Sequence, residues 1–516
     1  MEDVGTNNGT SLTSGRRLIL NVIWNGAGQI GPLAAAFIAM PILIHALGVE
    51  RFGILALVWT VFGYFSLLDL GIGQALTKLT SDRLATGPED EIPALFGTAL
   101  AATVTFGLVG SVVLVTFAHP VVNHLFKVSP SLQGETLSAM YVLALGIPIC
   151  VPIGTLRGTL SAYQRFGVIN LVQSPNAILT SLAPLCVLPF SHNIALIVAV
   201  LFGVHAITWL VYFAMCMYTV PNLVQRMRFR AAMVPGLVGF GFWIASSNLV
   251  AVMMGSFDRF TIAALTGMEA VGYYIVPARI LHKLTVVPWL ITAVLYPAFA
   301  HSLASDRLRT RMLFDRGAKA AVLILFPIVL IVVVFARELM TLWVGAEFAA
   351  HSALLVQLLA LAALFDGVGR IAAALNAAAH RPDVNTKIQS VELPLYLGFM
   401  GVMVYWRGAE GAAIACLVRA GADAAANWIA ARVLLPEIAH GGRRLAWFML
   451  AALSSMATAA LSLDLEVKCL TVAVIIAILY AAAWIALLNN GDHQVVLEGL
   501  NSVRGFRPLK IAEARK

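Results

Sequence analysis

Five cations lie within long apolar stretches of this chain: Arg259, Arg279, Lys283, Arg370 and Arg419. Each costs about 2.5–3.5 kcal/mol at the centre of a membrane-spanning helix, so the set requires a wet cavity or ionic partners. Asp366 and Arg370 are four residues apart, as are Arg419 and Asp423, which places each pair on one helix face. Such pairs serve either as salt bridges that hold a helix bundle or as parts of a polar cavity. Asp258 and Arg259 are sequence neighbours that point in different directions and need not neutralise each other. Arg279 and Lys283 are also four apart but carry the same sign, so they need an anion opposite. A carboxylate such as Asp258 or Glu392, or a substrate, would supply it. For Arg259, Arg279 and Lys283 the expectation is a cavity role, because planar guanidinium groups suit phosphate oxygens. Asp69, in Leu-Leu-Asp-Leu-Gly-Ile-Gly, is a candidate for a coupling proton or cation, or else a capping or paired group.

The elements that must hold these groups follow from composition. Of 516 residues, 60% are hydrophobic and only 12% charged, about half the charge of a soluble domain. Apolar stretches long enough to cross a roughly 30 Å hydrocarbon core recur with short polar connections between them. They place spans near 18–46, 52–76, 93–117, 136–158, 167–190 and 194–219. A second series lies near 234–266, 270–297, 317–335, 351–378, 385–406, 411–433, 445–463 and 468–488. The expected fold is an all-α polytopic membrane protein of about 14 transmembrane helices.

Lys and Arg fix the expected orientation. With a cytoplasmic N-terminus, the inner connections and the tail hold 24 of them, and the outer ones hold only Arg51, Lys127, Arg337, Arg407 and Lys468. The bias holds loop by loop, as the positive-inside rule requires. Both termini are expected on the cytoplasmic side, and the net charge of +8 is mostly this bias. The basic tail is free to lean on anionic lipid headgroups, and nothing calls for nucleic acid.

An internal echo divides the chain. Ala46-Leu-Gly-Val-Glu-Arg-Phe-Gly and Ala264-Leu-Thr-Gly-Met-Glu-Ala-Val-Gly share a frame in which Gly48, Glu50 and Gly53 match Gly267, Glu269 and Gly272, 219 residues on. Six spans per copy keep the two copies in the same orientation, so two parallel six-helix bundles are expected, with substrate between them. The organisation read from this is a cytoplasmic N-terminal tail (1–17), a first bundle (18–219), a cytoplasmic linker (220–233) and a second bundle (234–433). Two additional C-terminal helices (434–488) and a basic cytoplasmic tail (489–516) complete it.

Several chemistries lack their signatures. The five cysteines are scattered without CxxC or Cys/His spacing, so neither a disulfide framework nor a metal site is indicated. The first apolar stretch is too long for a cleaved signal sequence and reads as a permanent span. No GxxxxGK[ST] loop is present, so ATP hydrolysis by this chain is not expected. No cofactor is implied, and the chain does not read as an enzyme.

Pro41-Ile-Leu-Ile-His-Ala-Leu-Gly-Val-Glu-Arg-Phe-Gly followed by Leu68-Asp-Leu-Gly-Ile-Gly resembles the opening of the bacterial polysaccharide transporters, the O-antigen flippases. These belong to the multidrug/oligosaccharidyl-lipid/polysaccharide (MOP) exporter superfamily. Asp258-Arg259 with Gly272-Tyr-Tyr, Leu295-Tyr-Pro and Leu342-Trp-Val-Gly-Ala-Glu-Phe-Ala are similar to the same family, and the resemblance covers most of residues 18–435. It implies a V-shaped cavity between two bundles and a bacterial inner-membrane location. It also implies a polyprenyl-pyrophosphate-linked oligosaccharide turned from the cytoplasmic to the periplasmic leaflet, with a polysaccharide polymerase and export machinery as partners. A cationic lumen would draw on Arg157, Arg259, Arg279, Lys283, Arg370 and Arg419. A coupling proton or sodium ion would be carried by Asp69, Asp258 or Asp366. The rival expectations are a drug/cation antiporter of the same superfamily, a major-facilitator transporter, a peptidoglycan-precursor flippase and a membrane-bound polymerase.

Overall fold

A chain in hydrocarbon must satisfy its backbone polar groups within each segment, which leaves helices as the simplest solution for apolar stretches of this length. The computed structural model describes residues 15–220, 222–436, 439–460 and 464–488, and no strand occurs among them. Of the tails expected at 1–17 and 489–516, residues 1–14 and 489–516 lie outside the described residues, and 15–17 begin the first helix. The main helices of the first half are α1 (Gly15–Leu47), α2 (Val49–Leu68), α3 (Ile72–Thr86), α4 (Ile92–Pro120), α5 (Pro130–Cys150), α6 (Ile153–Ala162), α7 (Phe166–Val187) and α8 (Ile194–Thr219). A short α9 (Leu223–Arg226) precedes α10 (Val234–Leu265), α11 (Met268–His282), α12 (Val286–Ser305), α13 (Arg307–Val334) and α14 (Ala336–Trp343). The chain continues as α15 (Ala346–Ala378), α16 (Pro382–Leu434), α17 (Ala439–Ala460) and α18 (Leu465–Ala482).

Among the described residues, eight helical stretches are long and apolar enough to cross a membrane, and Gly31–Leu47 and Arg444–Met456 are shorter apolar helices. One of the eight, Asp383–Leu434, contains two of the expected spans, because the helix folds at Gly408 (φ 57°, ψ −133°). Tyr396 meets Cys416 at 3.4 Å, and Glu392 meets Arg419 at 3.7 Å. The residue numbers of each pair sum to nearly the same value, as in an antiparallel helix hairpin. The remaining expected spans, 52–76, 167–190 and 234–266, also fall on helices. The protein is a multi-span α-helical membrane protein.

Three spans read as single rods are broken in the structure. The stretch 52–76 parts into α2 and α3 at Leu70 and Gly71, both at positive φ (48° and 71°). The stretch 136–158 parts at Val151–Pro152, and 270–297 parts at a 3₁₀ turn over Lys283–Thr285. Pro288 explains the last break, since it lacks the N–H that would bond Leu284 and its ring crowds that carbonyl.

The residues group into two compact units. The first runs to Val276 and includes Trp343–Phe348 and Leu397–Ala412. Its core packs Ile72, Leu76, Leu95, Phe96, Leu156, Leu160 and Tyr212 from α3, α4, α6 and α8. The linker at 222–233 is tied down within this unit: Arg226 pairs with Asp90, Arg230 with Glu91, and the Arg230 N–H donates to Thr98 Oγ1 at 3.0 Å. The second unit holds Pro277–Leu342, Ala349–Tyr396 and the chain from Ala413. There α13 packs on α12 and on both C-terminal helices, α17 and α18, and Tyr480 donates to the Leu323 carbonyl at 2.9 Å.

The repeated glycine motif has a physical role. Gly48 and Gly267 end α1 and α10 at positive φ (78° and 125°), a conformation that only glycine adopts cheaply. A Cβ on Gly53 would run into the Met268 carbonyl, and one on Gly272 would sit 2.5 Å from the Val49 carbonyl. The two copies therefore pack against each other reciprocally, each glycine admitting the backbone of the other copy. The loop before α5 straps both turns. Ser129 donates its N–H and hydroxyl to Glu50 (2.8 and 2.7 Å), and the Lys127 N–H donates to the Ala263 carbonyl at 3.1 Å. Lys127 Nζ also caps the Leu265 carbonyl at the end of α10, where a cation opposes the helix dipole.

Candidate functional site

The stranded charges occupy two clusters and several other positions. The first cluster lies in the first unit, where α10 meets α2 and α11. Asp258 is buried, and its two oxygens are committed: Oδ1 accepts the Arg259 N–H at 2.8 Å, and Oδ2 accepts the Tyr274 hydroxyl at 2.5 Å. The carboxylate thus pins α10 to α11 and approaches the Arg259 guanidinium only to 4.0 Å. Thr60 on α2 spends its hydroxyl proton on the Ala56 carbonyl and accepts Arg259 Nη1 at 3.2 Å. Arg259 Nε is buried and has no hydrogen-bond partner among the described residues. A guanidinium carries five N–H donors. Here one donor is engaged by a neutral hydroxyl and the neighbouring carboxylate is loosely placed, so charge and donors are left for an anion.

The second cluster belongs to the second unit and joins α15 to both arms of α16. Arg370 Nε donates to Asp366 at 2.7 Å, the i,i+4 pair expected, with the arginine side chain 45% exposed. Arg419 departs from expectation: its salt bridge goes to Glu392 on the other arm at 3.7 Å, not to Asp423. The hairpin at Gly408 brings Glu392 across from Arg419, while Asp423 accepts Asn427 Nδ2 at 2.9 Å. The Arg419 guanidinium lies over the Tyr396 ring, 5.5 Å from its centroid. Asp366 and Asp423 lie within electrostatic range of Glu392. Three carboxylates therefore face two guanidinium groups.

The other candidates lie elsewhere on the chain. Arg157 is exposed on α6 between buried Leu156 and Gly158. Arg279 is half-buried near the end of α11. Lys283 is exposed at the start of the 3₁₀ turn, so the shared helix face expected for Arg279 and Lys283 ends at the break that Pro288 imposes. Asp69 is buried at the α2–α3 break rather than near the end of a continuous span, and its Oδ1 accepts the Gly71 N–H at 2.8 Å. Its other oxygen packs where Gly154 leaves no room for a Cβ. The Asp69 carboxylate thus engages the backbone at the start of α3.

Some polar residues in the apolar layers were not singled out from sequence. Lys319, counted among the inner connections, is buried in α13 and paired with Asp315 at i,i+4; the Asp-x-x-x-Lys spacing was the available signal. Thr60 carried no sequence signal and Tyr274 entered only as part of the Gly272-Tyr-Tyr motif, because hydroxyls in apolar helices are common and only the fold aims them at Asp258 and Arg259.

The family model for polysaccharide biosynthesis proteins matches residues 18–303. A Shigella flexneri protein that carries the name O-antigen transporter is 24% identical over 413 residues, covering 79% of this chain and 96% of the relative. Among solved structures, the lipid II flippase MurJ in an inward closed conformation superposes with a TM-score of 0.69 at 10% identity, covering 90% of this chain and all of the other. An inward-facing multidrug-resistance MATE transporter of the MOP superfamily gives a TM-score of 0.65 at 13% identity, covering 79% of this chain and 95% of that one. The chain belongs to the polysaccharide biosynthesis protein family and is built on the multi-span fold of the MOP-superfamily transporters.

Proposed function

We propose that this protein turns a polyprenyl-pyrophosphate-linked oligosaccharide from the cytoplasmic to the periplasmic leaflet of a bacterial inner membrane, with fourteen crossings and both termini cytoplasmic. The observation that carries the proposal is Arg259, a largely buried guanidinium that among the described residues has no partner on Nε and only a hydroxyl on Nη1. A sugar head bearing a diphosphate cannot cross hydrocarbon without losing its hydration. A cation with donors to spare lowers that cost while the polyprenyl tail stays in lipid. Family membership and the likeness to a lipid II flippase support a lipid-linked glycan as the substrate class. Movement by alternating access between two six-helix bundles, 18–219 and 234–433, fits the repeated glycine turns. No bond in the substrate need be made or broken, so the protein works as a transporter and not as an enzyme.

Deleting the gene tests the reading. The expected result is that lipid-linked glycan accumulates on the cytoplasmic leaflet and surface glycan falls, both restored by the wild-type gene. An unchanged lipid-linked pool together with lost drug tolerance would overturn it in favour of a drug/cation antiporter.

A further inference from the structure

The second cluster carries one more acid than base. Asp366, Glu392 and Asp423 face Arg370 and Arg419, and these charges sit in helices that hydrocarbon surrounds. Arg370 is engaged by Asp366 at hydrogen-bond distance, and Asp423 is held by the Asn427 side chain. Glu392 is the acid of the three whose only contact among the described residues is the loose 3.7 Å approach of Arg419. Its side chain is 11% exposed, its two oxygens are buried, and neither accepts a hydrogen bond among the described residues. Arg419 approaches it only to 3.7 Å while stacking on Tyr396. An ionised carboxylate in such a place lacks the donors that would replace water, and two further carboxylates repel it.

A polar seam leads away from this position. Asn427, which bonds Asp423, accepts from Asn376 Nδ2 on α15 at 3.4 Å. Asn376 Nδ2 also reaches Asn385 Oδ1 at 3.4 Å, and Asn385 donates to the Ala373 carbonyl at 2.9 Å. Asn376 Oδ1 is buried with no partner among the described residues. Asn385 sits about 10 Å along the helix from Glu392, at 1.5 Å per residue. It lies one turn from the exposed Arg381–Asp383–Lys387 group at the α15–α16 connection. The buried amides make this seam polar along its length, and a single water would supply the partner that Asn376 Oδ1 lacks.

We propose that Glu392 is a proton-binding site that exchanges with the aqueous phase at the α15–α16 connection through the seam of Asp423, Asn427, Asn376 and Asn385. A hydronium ion from that phase gives its proton to the Glu392 carboxylate, forming an O–H bond and releasing water. The cluster then balances, with Asp366 and Asp423 against Arg370 and Arg419. Losing the proton restores the excess negative charge and strengthens the pull on Arg419. The site deepens the transport reading by naming the coupling ion as a proton, and its test needs no substrate.

The test uses the full-length protein in lipid vesicles and follows the carbonyl stretch of protonated carboxyl groups by difference infrared spectroscopy as pH rises. Wild type is expected to show a protonated-carboxyl band that bleaches with pH and is absent in Glu392→Gln. In Asp423→Asn, which removes a negative neighbour, the bleaching midpoint moves to lower pH. Equal thermal melting of the two variants and wild type establishes that they fold, and Glu392→Asp, expected to keep a shifted band, serves if Glu392→Gln does not. A band that survives in Glu392→Gln overturns the proposal, as does a wild type with no such band. A band that responds to sodium at fixed pH overturns it too, in favour of a metal-cation site. A site that titrates as expected in a protein whose deletion leaves glycan export intact would refute the flippase reading and leave the proton site standing.

Discussion

Replacing Arg259 separates its anchoring role from its role in the fold. Among the described residues the guanidinium makes one hydrogen bond, to Thr60, and a loose 4.0 Å approach to Asp258. Thr60 keeps its bond to the Ala56 carbonyl, and Asp258 keeps Tyr274 and the backbone N–H, when the side chain is gone. The stability lost in Arg259→Ala is then about 1.5–3 kcal/mol, the worth of one charge-assisted hydrogen bond. The loss toward a diphosphate is larger. The fork can place two charge-assisted bonds on phosphate oxygens, at about 1.5–3 kcal/mol each, or roughly two to four orders of magnitude in binding. Arg259→Lys keeps the charge without the fork and should lose roughly one such bond, about 10- to 100-fold. Surface glycan measured in a deletion strain carrying each variant, with membrane protein level measured in parallel, reads the difference. The expected order is wild type, then Lys, then Ala, at similar protein levels. Arg259→Gln, which retains a donor for Thr60 but no charge, guards against instability and should match Ala. Full export by Arg259→Ala, or equal export by Gln and wild type, refutes the anchor.

Three further outcomes follow from other parts of the structure. Gly53→Ala places a methyl group against the Met268 carbonyl where the two repeat copies cross, and overpacking of this kind costs about 1–3 kcal/mol; a lowered melting temperature is expected, and none for Gly134→Ala, where nothing lies within 4 Å. Burial works to raise the Glu338 carboxyl, but the Lys468 ammonium bonded to it at 2.6 Å outweighs burial and holds it below its usual value near 4.5. The stability from this contact is therefore full above that value and lost as pH falls through the lower folded one; acid melting curves should flatten over that window in Lys468→Met, and an unchanged profile would exclude the pair as the source. In a background without the five native cysteines, an impermeant thiol reagent outside intact cells should label Arg407→Cys but not Arg309→Cys or Arg381→Cys, and the reverse pattern would invert the expected topology.

The sequence by itself determined the helical class, the positions of the apolar stretches and the glycine echo, because burial in lipid imposes length and hydropathy on each segment independently of its neighbours. It also marked Asp258, Arg259, Asp366, Arg370 and Arg419 as groups needing a reason to be there. It could not assign partners. The i,i+4 rule was right for Asp366 and Arg370, where both groups share a helix, and wrong for Arg419, whose salt-bridge partner comes across a hairpin that a single glycine creates at 408. The break at Asp69 was out of reach, since hydropathy averages over a span and does not register one left-handed residue, whereas Pro288 is legible in the sequence as a residue that permits the break at Lys283. Tertiary packing alone decided that Asp258 is consumed by Tyr274, and that among the described residues Arg259 keeps donors in reserve and Glu392 accepts no hydrogen bond. Those outcomes depend on directions of side chains from different helices, and a linear chain encodes such directions only once it has folded.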